Sequence, residues 1–342
     1  MEKLHRAICE YCDANRITGS LRITRGETVL YREDFGFACR ETGERFTPLS
    51  RFTYYSMSKP FCAFGFLKLA DAGLVSLDEH PGRVIPQLRG LYPAVTFRHM
   101  LHHVSGLPDF AKDEILPMTE AAADGDALRA QLPLLKDIPL AFEPGTQGNY
   151  CNMNFNLPAL AIENLTGMKY SEYLKKEVLL PLGMTHTLVD RPGLAVPHRV
   201  QGYLLQGGKV TPTPRRTSWM LGAGDLVGTL EDAGALRRAV KEKLLLKPET
   251  WEQVLTPSPL NQMGMGCKVR RWHGKLEVRH NGGSTGFRTL HMFLPEDDTD
   301  ILFFSNSGWG DARKDITELI HTHLYGSDGT EDSTPMDTGY LN

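Results

Sequence analysis

A serine and a lysine stand three positions apart where the chain enters an apolar stretch: Ser56 and Lys59 open the segment SMSKPFCAFGFLKLADAGL. Residues three apart on a helix are neighbours, with ~5–6 Å between their Cβ atoms, so the lysine amine can reach the hydroxyl. A hydroxyl is a weak nucleophile until a base takes its proton, and a lysine becomes that base when desolvation lowers its pKa. The apolar helix supplies the desolvation, and its N-terminus stabilises negative charge on a substrate oxygen. The pair therefore predicts nucleophilic catalysis by Ser56.

The phrases around this pair extend the prediction, because a serine and a lysine at such a spacing also arise by chance. They are FTYYSMSKPF, VTFRHMLHHVSGLPDF, FEPGTQGNYCNMNF, PLGMTHT, GAGDLVGT and RHNGGSTGFRT. Over roughly residues 17–310 the chain resembles the serine β-lactamase and penicillin-binding-protein superfamily, most of all its class C β-lactamase, D-aminopeptidase and carboxylesterase branch. The resemblance implies an α+β fold of the β-lactamase/transpeptidase type, an antiparallel sheet flanked by helices with an inserted all-helical domain.

In that branch three motifs meet in one cleft, and the second of them matches Tyr150-Cys151-Asn152. The resemblance implies that Tyr150 is a general base and acid together with Lys59, and that Asn152 orients the substrate and the lysine. A phenol, whose ordinary pKa is near 10, does this only beside a cation that favours the phenolate. Lys59 is the candidate cation.

The third motif matches His280-Asn281-Gly282, where penicillin-recognising members often carry K-T-G. By this match His280 and Gly282 contact the substrate, and the backbone N–H groups of Ser56 and Gly283 form the oxyanion hole. A lysine in the first position is a permanent cation suited to a β-lactam carboxylate, whereas an unperturbed histidine is mostly neutral at pH 7. This departure favours ester, amide or D-amino-acid substrates over β-lactams.

Simpler interpretations stand beside these. Tyr150 and Asn152 could be an ordinary aromatic residue and an ordinary helix cap, and His280 could be a strand residue whose ring is satisfied. A rival nucleophile is Ser284, because Gly282 to Gly286 matches the G-x-S-x-G elbow of α/β-hydrolases. That elbow needs a strand before it and a helix after it, and the FRTLHMFL that follows predicts a strand.

These residues predict a serine hydrolase that forms an acyl-enzyme on Ser56 with an ester, amide or D-amino-acid peptide substrate. One alternative is a β-lactamase or D,D-carboxypeptidase. The other is a catalytically idle ligand-binding or sensing protein of the same fold. We expect no cofactor and no metal, and a small molecule or short peptide as the partner.

Composition sets the remaining expectations. The chain has 342 residues and a formal charge of -3 with no basic stripe, which argues against a nucleic acid partner. It shows no apolar stretch long enough to span a bilayer and no apolar signal segment at its start, so we expect a cytoplasmic protein without a membrane partner. No coiled-coil seam is evident, which favours a monomer. Cys9 and Cys12 form a C-x-x-C pair, predicted to be two thiols on one helix.

The elements that must position the site follow from periodicity. Alternation around Gly26-Glu27 predicts a hairpin, and residues 58–74 predict a buried helix that ends near Gly73. Over residues 75–185 the periodicity is helical throughout, with proline and glycine breaks near Pro93, Gly106, Pro108, Pro144 and Gly145. Four further strands are predicted in the last third, followed by a closing helix over residues 312–325. We therefore predict a discontinuous sheet domain (1–74 and 186–325), a helical domain (75–185) and a mobile acidic tail (326–342).

Overall fold

The computed structural model describes residues 1–109, 128–130, 132–191, 193–214 and 220–326. Its central element is a six-stranded antiparallel sheet, to which the first and the last strands of the described chain contribute. The strands are, in spatial order, β2 (Thr28–Phe35), β1 (Gly19–Arg25), β11 (Thr299–Ser305), β10 (Phe287–Leu294), β9 (Lys275–Ser284) and β8 (Lys268–Trp272). The sheet confirms the α+β prediction.

The hairpin turns lie where the sequence predicts them. Strands β1 and β2 pair across Gly26-Glu27, and Gly26 has a φ of +58°, the left-handed region that favours glycine. Strands β8 and β9 pair across His273-Gly274. Strand β9 is longer than predicted, because it continues past His280 to Ser284. The third motif therefore lies within a strand.

Helices cover both faces of the sheet. They are α1 (Glu2–Asn15), α2 (Lys59–Asp71), α3 (Phe97–Leu101), α4 (Met153–Thr166), α5 (Tyr170–Leu174), α6 (Leu230–Ala233), α7 (Ala235–Glu242), α8 (Pro248–Leu255) and α9 (Ala312–Tyr325). None of the described helices combines the length and the apolar character that a bilayer span requires. Cys9 and Cys12 both lie on α1, where Cys12 is buried.

The side chains of β11 alternate between the two faces of the sheet and belong to two separate core clusters. Ile301 and Phe303 belong to a cluster that the sheet forms with α1 and α9. Leu302 and Phe304 point to the opposite face, into the larger cluster that contains α2 and α4. Successive side chains of a strand alternate between faces, so one strand serves both layers.

Five shorter strands of the described chain lie outside the six-stranded sheet. Strands β3 (Phe52–Thr53) and β4 (Leu188–Val189) flank β7 (Leu226–Gly228) in a second sheet. Strands β5 (Tyr203–Gln206) and β6 (Lys209–Pro212) form a separate hairpin. Tyr54 continues from β3, donating its N–H to the Leu226 carbonyl of β7, so this small sheet leads the chain directly into the turn before α2.

Helix occupies only part of residues 75–185: the chain is non-helical at the predicted breaks, Pro93, Gly106, Pro108, Pro144 and Gly145, and also in segments where the periodicity predicted helix. The described residues of this stretch contain no strand, but two of its segments, Pro81–Arg83 and Pro86–Leu88, are short 3-10 turns. Residues 138–152 contain no helix. Proline lacks the N–H that a helix interior requires, and the turns at Pro81 and Pro86 each begin with a proline, whereas Pro158 is accommodated within α4. The domain division stays a prediction, and residues 327–342 of the predicted tail lie outside the described residues.

Candidate active site

Ser56 lies in a 3-10 turn, Tyr55–Ser58, that runs directly into α2. The residue before it, Tyr55, has a φ of +48°, a left-handed conformation that costs a bulky residue ~1–3 kcal/mol. Tyr55 is buried, and its ring packs against Phe287 of β10. The neighbouring structure thus holds a strained turn that presents Ser56, itself 4% exposed, at the N-terminal end of a helix.

Lys59 connects three acceptors from separate parts of the chain. Its Nζ donates to Ser56 Oγ at 3.1 Å, to Asn152 Oδ1 at 2.9 Å and to the Ala223 carbonyl at 2.7 Å. The Ala223 carbonyl was not identified from the sequence, because a backbone acceptor leaves no residue-type signal. All three acceptors are neutral.

Burial sets the charge state of this lysine. The Lys59 side chain is fully buried, and desolvation lowers its pKa from an ordinary 10.5 to about 7. The nearby carboxylate of Asp109 opposes that shift. A lysine with such a pKa has a large neutral fraction at neutral pH, and the neutral amine can accept the Ser56 proton.

Tyr150 lies beside this amine, just ahead of α4. Lys59 Nζ is 4.6 Å from the centroid of the Tyr150 ring, which is cation–π distance. The ring of His103 also stacks on Tyr150, with 4.3 Å between the ring centroids, and His103 Nδ1 accepts the Cys151 N–H at 3.2 Å. The structure therefore brings the ring of Tyr150 to the lysine and holds it there.

Asn152 precedes α4 in the N-cap position, but its side chain makes no capping hydrogen bond. Its Oδ1 accepts from Lys59, and its Nδ2 donates to Asp109 Oδ2 at 3.0 Å. Asp109 Oδ2 also accepts the Asn152 N–H at 2.8 Å, so the carboxylate determines which way the amide faces. The simpler alternative, an ordinary helix cap, does not fit this geometry. Asp109 was missed, although it ends the phrase SGLPD, because an aspartate after a proline is also typical of turns.

His280 is buried in β9, with its ring 6.4 Å from that of Tyr150. Its Nδ1 is 2.6 Å from the Asn281 carbonyl, a pure acceptor, so the proton must be on Nδ1. Burial, with Lys59 nearby, lowers the pKa of His280 to about 3. The ring is thus neutral at pH 7, and its Nε2 is an acceptor without a hydrogen-bond partner within the described ranges.

Gly282 brings β9 against the turn that carries Ser56. A Cβ atom on Gly282 would lie 2.0 Å from the Tyr54 carbonyl oxygen, so only glycine permits this approach. Gly283 follows in the same strand. Ser284 ends β9, and Phe287 begins β10, so the G-x-S-x-G match joins two strands and lacks the helix that a nucleophile elbow requires.

Comparison with known proteins places this geometry in a family. The model of the family described as Beta-lactamase matches residues 4–323. The chain belongs to the β-lactamase family. It is 25% identical over 320 residues to a penicillin-binding protein of Bacillus subtilis (strain 168), covering 86% of this chain and 69% of that protein. Membership in the β-lactamase family supports an activity of the serine hydrolase type.

Solved structures of similar proteins agree on the fold. The D-amino acid amidase from Ochrobactrum anthropi SV3, complexed with L-phenylalanine amide, has a TM-score of 0.79 and 25% identity, covering 96% of this chain and 99% of that one. An octameric penicillin-binding protein homologue from Pyrococcus abyssi has a TM-score of 0.83 at 24% identity, covering 95% of this chain and 77% of that one. The latter shows a shared β-lactamase-family fold alone.

Proposed function

We propose that this chain hydrolyses an ester, amide or D-amino-acid peptide through an acyl-enzyme on Ser56. The observation that carries the proposal is Lys59, buried, held by neutral acceptors, and 3.1 Å from the Ser56 hydroxyl. Neutral Lys59 accepts the hydroxyl proton as Ser56 Oγ attacks the substrate carbonyl carbon. The N–H groups of Ser56 and Gly283 stabilise the oxyanion. Lys59 and Tyr150 then pass the proton to the leaving group, and water releases the acid.

His280 supports amides and esters over β-lactams as substrates. Because its Nδ1 proton is donated to the Asn281 carbonyl, the ring offers an acceptor, and its low pKa keeps it uncharged. An acceptor suits an N–H or O–H donor on the substrate, whereas a β-lactam carboxylate needs a cation or a donor. The similarity to a D-amino acid amidase, at 25% identity over almost the whole chain, supports the same class.

The direct test is covalent labelling with a fluorophosphonate, followed by intact-protein mass measurement. The parent should gain one adduct, and Ser56→Ala should gain none. Ser284→Ala is the matched control, since it removes the rival serine of the G-x-S-x-G match, and it should label like the parent. Labelling of Ser56→Ala at the parent rate would overturn the assignment.

A substrate panel separates the alternatives. We expect turnover of p-nitrophenyl esters or of one enantiomer of phenylalanine amide, and slow or no turnover of nitrocefin. Rapid nitrocefin turnover, or a long-lived penicilloyl adduct, would favour a β-lactamase or D,D-carboxypeptidase. Tight ligand binding without turnover of any substrate in the panel would favour an idle binding protein.

A further inference from the structure

A buried arginine lies behind the strand that carries the third motif. Arg313, in the first turn of α9, is 2% exposed, and its Nη1 donates to the Gly282 carbonyl at 2.9 Å. Asp311, the N-cap of α9, accepts from Arg313 Nε at 2.6 Å. A guanidinium held on both sides in this way cannot swing out to bind a substrate itself.

The carbonyl of Gly282 and the N–H of Gly283 belong to one peptide group. The described chain has no cis peptide bond, so this N–H points away from the carbonyl and away from Arg313. A cation that bonds the carbonyl oxygen draws electron density through the conjugated amide and makes its N–H a stronger donor. The N–H group that becomes the stronger donor is that of Gly283, which the motif match assigns to the oxyanion hole.

We propose that Arg313 is a positioning residue that polarises the Gly282–Gly283 peptide and thereby strengthens the oxyanion hole. The inference rests on the proposed function, because it requires an oxyanion to form opposite Ser56. Helix α9 packs together with α1 on one face of the sheet. Through Arg313, this face is connected to the reaction at Ser56.

Neighbouring arginines provide a contrast. Arg288 Nη1 donates to the Ser284 carbonyl at 2.8 Å, which polarises the Ser284–Thr285 peptide and leaves the N–H of Gly283 untouched. Arg279 donates to the side chain of Asn281. Several arginines therefore place positive charge near the end of β9. The hydrogen bond to the Gly282 carbonyl comes from Arg313. Arg288 is the matched control for its charge.

The experiment compares Arg313→Met with Arg288→Met and Arg313→Lys. Each is measured for kcat and KM on the best ester of the panel and for inhibition by a boronic acid. The boronic acid bonds to Ser56 Oγ as a negatively charged tetrahedral adduct, with one oxygen where the oxyanion forms. Arg313→Met should lower kcat ~5- to 20-fold at nearly constant KM and weaken the boronic acid by the same factor.

Arg313→Lys, which keeps a cation, should recover most of both losses, and Arg288→Met should change boronic acid affinity less than ~2-fold. If Arg313→Met fails to fold, the double variant D311N/R313M removes both charges of the pair and is measured in its place. Unchanged boronic acid affinity, or an equal loss in Arg288→Met, would overturn the inference while Ser56 labelling still upheld the proposed function. Failure of that labelling would instead overturn the function.

Discussion

Two regions of the described chain surround a buried basic side chain in opposite ways. Lys59 is enclosed with neutral hydrogen-bond acceptors, and burial lowers its pKa to about 7. Arg270 of β8 and Arg313 of α9 are also buried, but each has a carboxylate partner: Arg270 bonds Glu277, and Arg313 bonds Asp311. Burial by itself therefore does not determine charge.

The difference between the lysine site and the arginine site is the choice of partner. A carboxylate in contact compensates the lost hydration of a cation, whereas an amide, a hydroxyl and a peptide carbonyl compensate it only in part. Guanidinium also holds its proton far more strongly than an amine. The lysine site is thus suited to proton transfer, and the arginine site to fixed charge.

The largest expected effect comes from two variants of Lys59 that cannot transfer a proton. One of them lacks the positive charge, and the other keeps it. Lys59→Met and Lys59→Arg should both lower kcat/KM by ~10²–10⁴, because neither side chain can accept the Ser56 proton. Steady-state hydrolysis of an activated ester measures this, with circular dichroism to verify the fold. Substantial activity in Lys59→Arg would show that charge alone suffices and would remove the distinction between the two sites.

A second effect concerns how the free energy of unfolding depends on pH. Between about pH 7 and 10.5 the unfolded chain holds a proton on Lys59 that the folded chain lacks. Lys59 therefore makes the free energy of unfolding rise with pH, by ~1.4 kcal/mol per pH unit within that window. Urea denaturation of the parent and of Lys59→Met at pH 7, 8 and 9 measures the contribution as a difference between two chains. Parallel curves would contradict a neutral buried lysine.

The smallest effect tests Asp109, the carboxylate that acts on the lysine through Asn152. Asp109→Asn removes a charge that raises the pKa of Lys59, so the acidic limb of kcat/KM should move to lower pH. Other ionisable groups that act on Lys59 are unchanged, among them Cys151, Cys62 and Asp225. Loss of the Asn152 orientation should also lower kcat roughly tenfold. A profile that falls in height without shifting would assign Asp109 a structural role only.

Much of the fold could be predicted from local pattern. The closing helix is observed over the predicted residues, and the hairpins turn at the predicted pairs, because apolar periodicity and glycine conformations are properties of short segments. The stretch 75–185 contains less helix than its periodicity predicted, and two of the segments that are 3-10 turns instead begin with a proline, Pro81 and Pro86. Asp109 and Arg313 were missed because each acts through a backbone or amide group of a residue far away in sequence.

The sequence by itself determined the reactive pair, since Ser56 and Lys59 are neighbours on any helix that begins there. It also determined the motif order that places the chain in its family. Tertiary structure decided the chemistry of those groups: which atoms surround the lysine, which nitrogen of His280 carries the proton, and which peptide faces Arg313. Desolvation and hydrogen-bond direction depend on atoms that distant segments supply, and only folding brings those atoms together.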